Sequence, residues 1–313
     1  MSPAYYRRRF RRVSKFAKKR SRTSSRYSRP SSRRTSARSG RYRRRRPVST
    51  RRILNITSSK KRDTMINFTN TTLTGNSLTS AAAGRTTILG NRAATILWCP
   101  TARQYSSTQT GNPTQLSSAN PYYVGLKENL RIDTNSGRPW RHRRICFSSR
   151  GDEAFQSTVP NPGSVPWDPY VQDATVGYVR PYYDLSTSAA FTPLVSEINN
   201  NVFRGTINAD WDSRIDAIVD TDRVNVHFDK LWVIRPTTTV GSSVTRKLWH
   251  PMKKTLFYDQ DEEGKVENVQ KWATLGKKGM GDYFVLDIFD CFAGSASDAL
   301  SIGGDSVLYW HEK

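Results

Sequence analysis

The first 62 residues contain 25 Lys or Arg and not one Asp or Glu, and this segregation of charge limits the architecture more than any other feature. The remaining 251 residues hold 25 basic and 26 acidic side chains, so the formal +24 of the chain is a +25 tail joined to a body of −1. Like charge at that density cannot collapse into a core, and the tail is expected to be disordered in isolation. Its natural partner is a polyanion, above all nucleic acid. The division expected is an Arg-rich arm over residues 1–50 and a folded domain over 51–313. About 250 residues suffice for one sizeable core.

Twenty of the 25 basic residues are Arg, which grips phosphate through a planar fork and stacks on bases. One dense cluster comprises Arg7, Arg8, Arg9, Arg11, Arg12, Lys15, Lys18, Lys19 and Arg20; the other comprises Arg41, Arg43, Arg44, Arg45 and Arg46. Both also read as nuclear import signals, which names nuclear import receptors as partners. Tyr5, Tyr6, Phe10, Phe16, Tyr27 and Tyr42 are threaded among the charges, an arrangement suited to unpaired bases. Tyr6, Phe10, Val13 and Ala17 fall at helical spacing, compatible with a short helix once the charges are neutralised. Between Ser21 and Ser39 lies a Ser/Arg mixture, where phosphorylation would cancel charge and loosen the grip on a polyanion. Arg51, Arg52, Lys60, Lys61 and Arg62 sit where arm meets body and are candidates for fixed phosphate contacts.

The body is rich in Thr, Val, Ile and aromatic residues, which suit pleated surfaces. Strands are expected over 52–57, 62–68, 86–89, 93–98, 176–183, 223–234, 247–258, 283–289 and 306–310. Residues 122–134 and 140–147, with the turn Asn135-Ser136-Gly137 between them, read as a hairpin. Helical periodicity is confined to a short stretch, 194–200. Eight to ten strands with long Ser/Thr/Asn/Pro-rich connections favour a sandwich or jelly roll, an all-β class.

RRILNITSSKKRDTM (51–65), YYVGLKENLRIDTNSGRPWRHRRICFSSRG (122–151), DTDRVNVHFDKLWVIRP (220–236), LWHPMKKTLFYDQDEEG (248–264) and GKKGMGDYFVLDIFDC (276–291) together resemble one family. It is the capsid proteins of genomoviruses, the gemycircularvirus-like agents with small circular single-stranded DNA genomes, some of which infect fungi. The resemblance implies a single jelly roll, an eight-stranded antiparallel sandwich with long loops and a disordered basic N-terminal arm. It also implies a small icosahedral shell of one protein, circular single-stranded DNA as cargo, and a location in the virion and, during assembly, the host nucleus. If about 60 copies contributed their arms, the interior would hold roughly 1,500 positive charges, enough to neutralise most of a genome of about two thousand phosphates. A cellular nucleic-acid chaperone or chromatin-type factor with a basic tail is the alternative.

Trp140, Arg141, His142, Arg143 and Arg144 form the densest basic cluster of the body. On a strand, Arg141 and Arg143 project to one side and Trp140, His142 and Arg144 to the other. Either Trp140, Arg141, Arg143 and Arg144 touch DNA on an inner wall, or Trp140 is core and the arginines pair with acids. Asp259, Asp261, Glu263 and Gly264 imitate the start of a calcium loop, but Gln270 occupies its twelfth position, so an acidic hairpin turn is expected. The glycines at 276, 279 and 281 lack the spacing of a phosphate loop. The four histidines show no HExxH or HxH spacing, and no serine lies in a GxSxG elbow. No cofactor, metal or catalysis is expected. Three distant cysteines argue against a disulfide framework. No apolar run reaches the roughly 18 residues of a membrane span, and no secretory signal is legible, so no membrane partner is expected.

Overall fold

A computed structural model describes residues 49–106 and 111–313 of the chain, and these form one compact unit, Ser49–Lys313. The arm from Arg7 to Arg46 lies outside the described residues. In chain order the elements are α1 (Thr50–Thr57), β1 (Ser59–Met65), β2 (Asn67–Thr71), β3 (Ser77–Ala83), β4 (Thr86–Leu89), β5 (Ala94–Trp98), β6 (Tyr122–Thr134), β7 (Trp140–Ser149), α2 (Glu153–Gln156), β8 (Val171–Asp173) and β9 (Gly177–Pro181). They continue as α3 (Thr192–Val202), β10 (Asn225–Ile234), β11 (Ser243–Thr255), β12 (Tyr258–Glu263), β13 (Val266–Ala273), β14 (Asp282–Cys291) and β15 (Ala299–Glu312).

Eight strands build an antiparallel sandwich of two four-stranded sheets, β1-β15-β6-β11 and β10-β7-β14-β5, with β4 also pairing the start of β15. Successive strands of the sandwich alternate between the two sheets, except β7 and β10, which are neighbours in one sheet. This is a jelly roll, the all-β class expected from the strand pattern. The inner faces meet in two apolar clusters. One contains Trp98, Leu126, Val285, Leu308 and Trp310; the other contains Ile88, Ile96, Ile132, Trp140, Phe289 and Ile302.

A further layer covers the outer face of β10-β7-β14-β5. The connection from β7 to β10 carries α2, β8, β9 and α3, and it seats Phe155, Trp167, Phe191, Leu194 and Ile198 against Phe147, Phe284, Leu286 and Ile288. β14 is therefore covered on both faces, which explains why residues 283–289 read as a nearly continuous apolar run rather than an alternating one. β9 also joins β2 in parallel register, Asn67 opposite Arg180, giving a small sheet β3-β2-β9-β8.

Two expectations are corrected. Residues 52–57 are the helix α1, not a strand: the Ser49 hydroxyl accepts from the Arg52 N–H, and the Thr57 hydroxyl donates back to the Ile53 carbonyl. These local bonds outweigh the β-branched composition that mimics a strand. Residues 122–134 and 140–147 are strands but not a hairpin. β6 pairs with β15 and β11, whereas β7 pairs with β14 and β10, so the turn carries the chain from one sheet to the facing one. The acidic hairpin is present: β12 and β13 pair around Gly264, whose φ is +64°. Pro251 sits in the edge strand β11, where its missing N–H is tolerated, and Lys253 at φ +51° marks the register shift beyond it.

Candidate nucleic-acid interface

The basic cluster on β7 faces the protein rather than a ligand. As alternation requires, Trp140, His142 and Arg144 point between the sheets, and all three are 0% exposed. Arg144 donates to Asp287 through Nε at 2.8 Å and Nη2 at 2.6 Å, and through Nη1 to Glu128 of the opposite sheet. Arg180 reaches Glu128 at 3.6 Å while lying over the Tyr182 ring, 4.0 Å from its centroid. Ser306 and His250 complete the surroundings of Glu128, and the Tyr182 hydroxyl donates to Asp287. Burial pushes both carboxyls upward, but the guanidinium groups outweigh it. Glu128 is held at about 2, and Asp287 lies well below the usual carboxylate range.

His142 stacks on Phe289 and donates from Nε2 to Asp287 at 2.6 Å, while its Nδ1 accepts from Arg246. Burial lowers it to about 4, so it is neutral at pH 7. On the outer face, Arg143 makes a fork to Asp229 at 3.0 and 2.7 Å and donates to the carbonyls of Arg214, Ile215 and Ala217. Arg141, partly exposed, pairs with Asp290 and Asp216. The inner-wall DNA contact expected for Trp140, Arg143 and Arg144 is thus corrected: they are buried, and the arginines are consumed by carboxylates and carbonyls. Arg141 is also committed to acids.

The junction residues divide by the pleat of β1. Lys61 points inward at 4% exposure and is corrected as well: its ammonium meets Glu312 at 2.8 Å, Ser117 at 2.6 Å and the Gln115 carbonyl at 2.9 Å. Lys60 and Arg62 point to solvent, and Arg52 is exposed on α1, which also carries Arg51.

Lys60 and Arg62 open a wider surface, the solvent face of β1-β15-β6-β11. Register places Arg62 opposite Tyr309, Tyr309 opposite Gly125, and Lys127 between Val307 and Trp249; Lys247 is two residues from Trp249 on the same side. Among the described residues, Lys60, Arg62, Lys127 and Lys247 are exposed and have no carboxylate within 4.0 Å. Arg131 lies on this face too, but it pairs with Asp133, which Arg85 also holds. Asp305 is the exposed acid of the central strand β15. His311 is kept below its ordinary value by burial and by the neighbouring Lys60, so it adds no charge at pH 7.

Lys127, Lys247, Trp249 and Tyr309 were not picked out from the sequence. The signal was present in the alternation of Leu126, Leu130 and Ile132 with Lys127 and Arg131, but only strand order reveals which residues of other strands share the surface. Among the described residues, no group of three or more His, Cys, Asp or Glu is placed to hold a metal ion. No described helix is long and apolar enough to cross a membrane. No known protein family matches the chain, and no curated protein matches it. The class defined here is therefore that of the fold, a jelly roll with one covered and one open sheet.

Proposed function

We propose that the chain is a viral coat subunit that assembles with its own copies into a small icosahedral shell and packages circular single-stranded DNA through its basic arm. The observation that carries this reading is the partition of charge: 25 cations without an acid in residues 1–62, joined to a jelly roll whose own densest basic cluster is internally neutralised. A polycation neutralises a long strand without requiring any sequence, whereas a sandwich with long loops supplies contact surfaces for a shell. The resemblance of five segments to genomovirus capsid proteins supports the same reading. On it, assembly takes place in the host nucleus after recognition of the arm by import receptors, and about 60 copies close the shell.

Negative-stain microscopy with a nuclease-protection assay tests it. The full chain is expected to give closed particles of uniform size that shelter DNA, and deletion of Met1–Arg46 is expected to abolish the sheltered DNA. A persistent monomer over a range of salt and pH, or truncated particles with full DNA content, overturns the proposal.

A further inference from the structure

The open sheet carries an aromatic site as well as charge. Trp249 is 46% exposed on the edge strand β11, a large ring in a position where an edge strand ordinarily places a charged or small polar group. Its indole lies down across Gly125: a Cβ at that glycine would stand 2.7 Å from the six-membered ring of Trp249. Leaning over the glycine brings the indole to Tyr309, with ring centroids 5.9 Å apart and planes tilted by 59°. The sheet lies beneath the pair, of which Trp249 is exposed and Tyr309 half-buried. Arg62 stands directly opposite Tyr309, and Lys127 directly opposite Trp249.

We infer that Trp249 and Tyr309 form a stacking platform for unpaired bases of a single-stranded nucleic acid, with Arg62, Lys127 and Lys247 taking the flanking phosphates. This inference rests on the polyanion-binding reading above and assigns the ligand class of one surface within it. A base offers a π-face whatever its identity, so such a platform tolerates any sequence; in a duplex the faces are already occupied by neighbouring bases. The unpaired cations argue against an apolar protein partner, which would have to bury them uncompensated. Trp249 differs from Trp98, Trp140 and Trp310 of the sandwich, which are core residues at 1% exposure or less, and from the half-buried Trp232 on β10, whose ring lies under the Arg246 guanidinium.

The test compares binding of the full chain to a labelled fifteen-nucleotide oligo-dT and to an abasic strand with the same number of phosphates. Each stacked base is worth about fivefold or more in affinity. The wild type is expected to prefer oligo-dT, and Trp249→Ala with Tyr309→Ala to lose most of that preference while holding the abasic strand as before. Lys127→Ala is expected to weaken both ligands alike. Cross-linking of wild-type protein to oligonucleotides bearing 5-iodouracil, mapped by mass spectrometry, gives a readout that does not depend on variants folding; adducts are expected at Trp249 or Tyr309. Equal wild-type affinity for the two strands, a preference untouched by the double variant, or adducts confined to residues 1–48 would overturn the platform while leaving polyanion binding intact. Failure to bind either strand overturns both.

Discussion

Replacing Arg144 with Met should destabilise the sandwich by about 4 kcal/mol at pH 7, since removing one partner from a buried ion cluster typically costs about 3–5 kcal/mol. Arg144 is fully buried and is the only described cation in ion-pair contact with both Glu128 and Asp287, so it joins the two sheets electrostatically. The depression of Glu128 from 4.5 to about 2 corresponds independently to roughly 3 kcal/mol. Its sign follows from linkage: a carboxyl lowered in the folded state contributes fully above about pH 5, and that contribution is lost as pH falls toward 2. In Arg144→Met, Asp287 loses its guanidinium and Glu128 keeps only the more distant Arg180, so these carboxyls take up protons in the folded state, which relieves the penalty. The gap between wild type and variant should therefore narrow from pH 7 to pH 4. Urea unfolding followed by tryptophan fluorescence measures this, because Trp98, Trp140 and Trp310 are buried in the sandwich core and become exposed on unfolding. Neutralising the acids as well, with Glu128→Gln and Asp287→Asn, should recover much of the loss. A single-variant loss below about 1 kcal/mol, or a gap that widens in acid, would refute the reasoning.

Asp282 behaves oppositely. It accepts from the Ala273 N–H at 2.9 Å and from Gln156 at 3.1 Å, and burial raises it from 3.8 to about 7. A raised carboxyl lends stability that is present below about pH 4 and lost as pH climbs through 7, so Asp282→Asn should leave stability unchanged at pH 4 and add roughly 2–4 kcal/mol at pH 8. Denaturation curves at the two pH values check it, and a variant less stable at pH 8 contradicts it. Gly304 has φ +145°, and a Cβ there would lie 1.9 Å from the Asn129 carbonyl oxygen of the paired strand. Gly304→Ala should cost about 3 kcal/mol or more in thermal or urea unfolding, against about 1 kcal/mol for Gly264→Ala, where the added carbon meets nothing within 4 Å.

Period-two alternation marked most of the sandwich strands in the sequence, because their inward and outward residues meet different environments. Strand pairing was not legible, and the false hairpin at 122–147 shows why. A polar turn between two long strands is the same whether they pair side by side or separate into facing sheets; the difference lies in distant residues such as Phe284, which pairs Phe147, and Leu308, which pairs Leu126. The helix at 50–57 was missed because Ile53, Ile56 and Thr57 favour strands, while its capping hydroxyl at Ser49 is a single atom's signal. For the site, the two readings of Trp140–Arg144 could not be separated by composition, since their acidic partners come from β6, β10 and β14. Lys61 among Lys60, Lys61 and Arg62 looked equivalent to its neighbours until the pleat of β1 turned it toward Glu312.

The internal neutralisation of β7 bears on the order of events in biosynthesis. A newly made polypeptide displays RHRR to every nearby RNA, and such a tetrad is sticky in its own right. Once the two sheets close, Asp287, Glu128 and Asp229 take those guanidinium groups out of circulation. Folding of the sandwich thereby removes one basic, polynucleotide-adhesive segment from the body, while the acid-free basic run at the start of the chain has no carboxylate of its own to silence it.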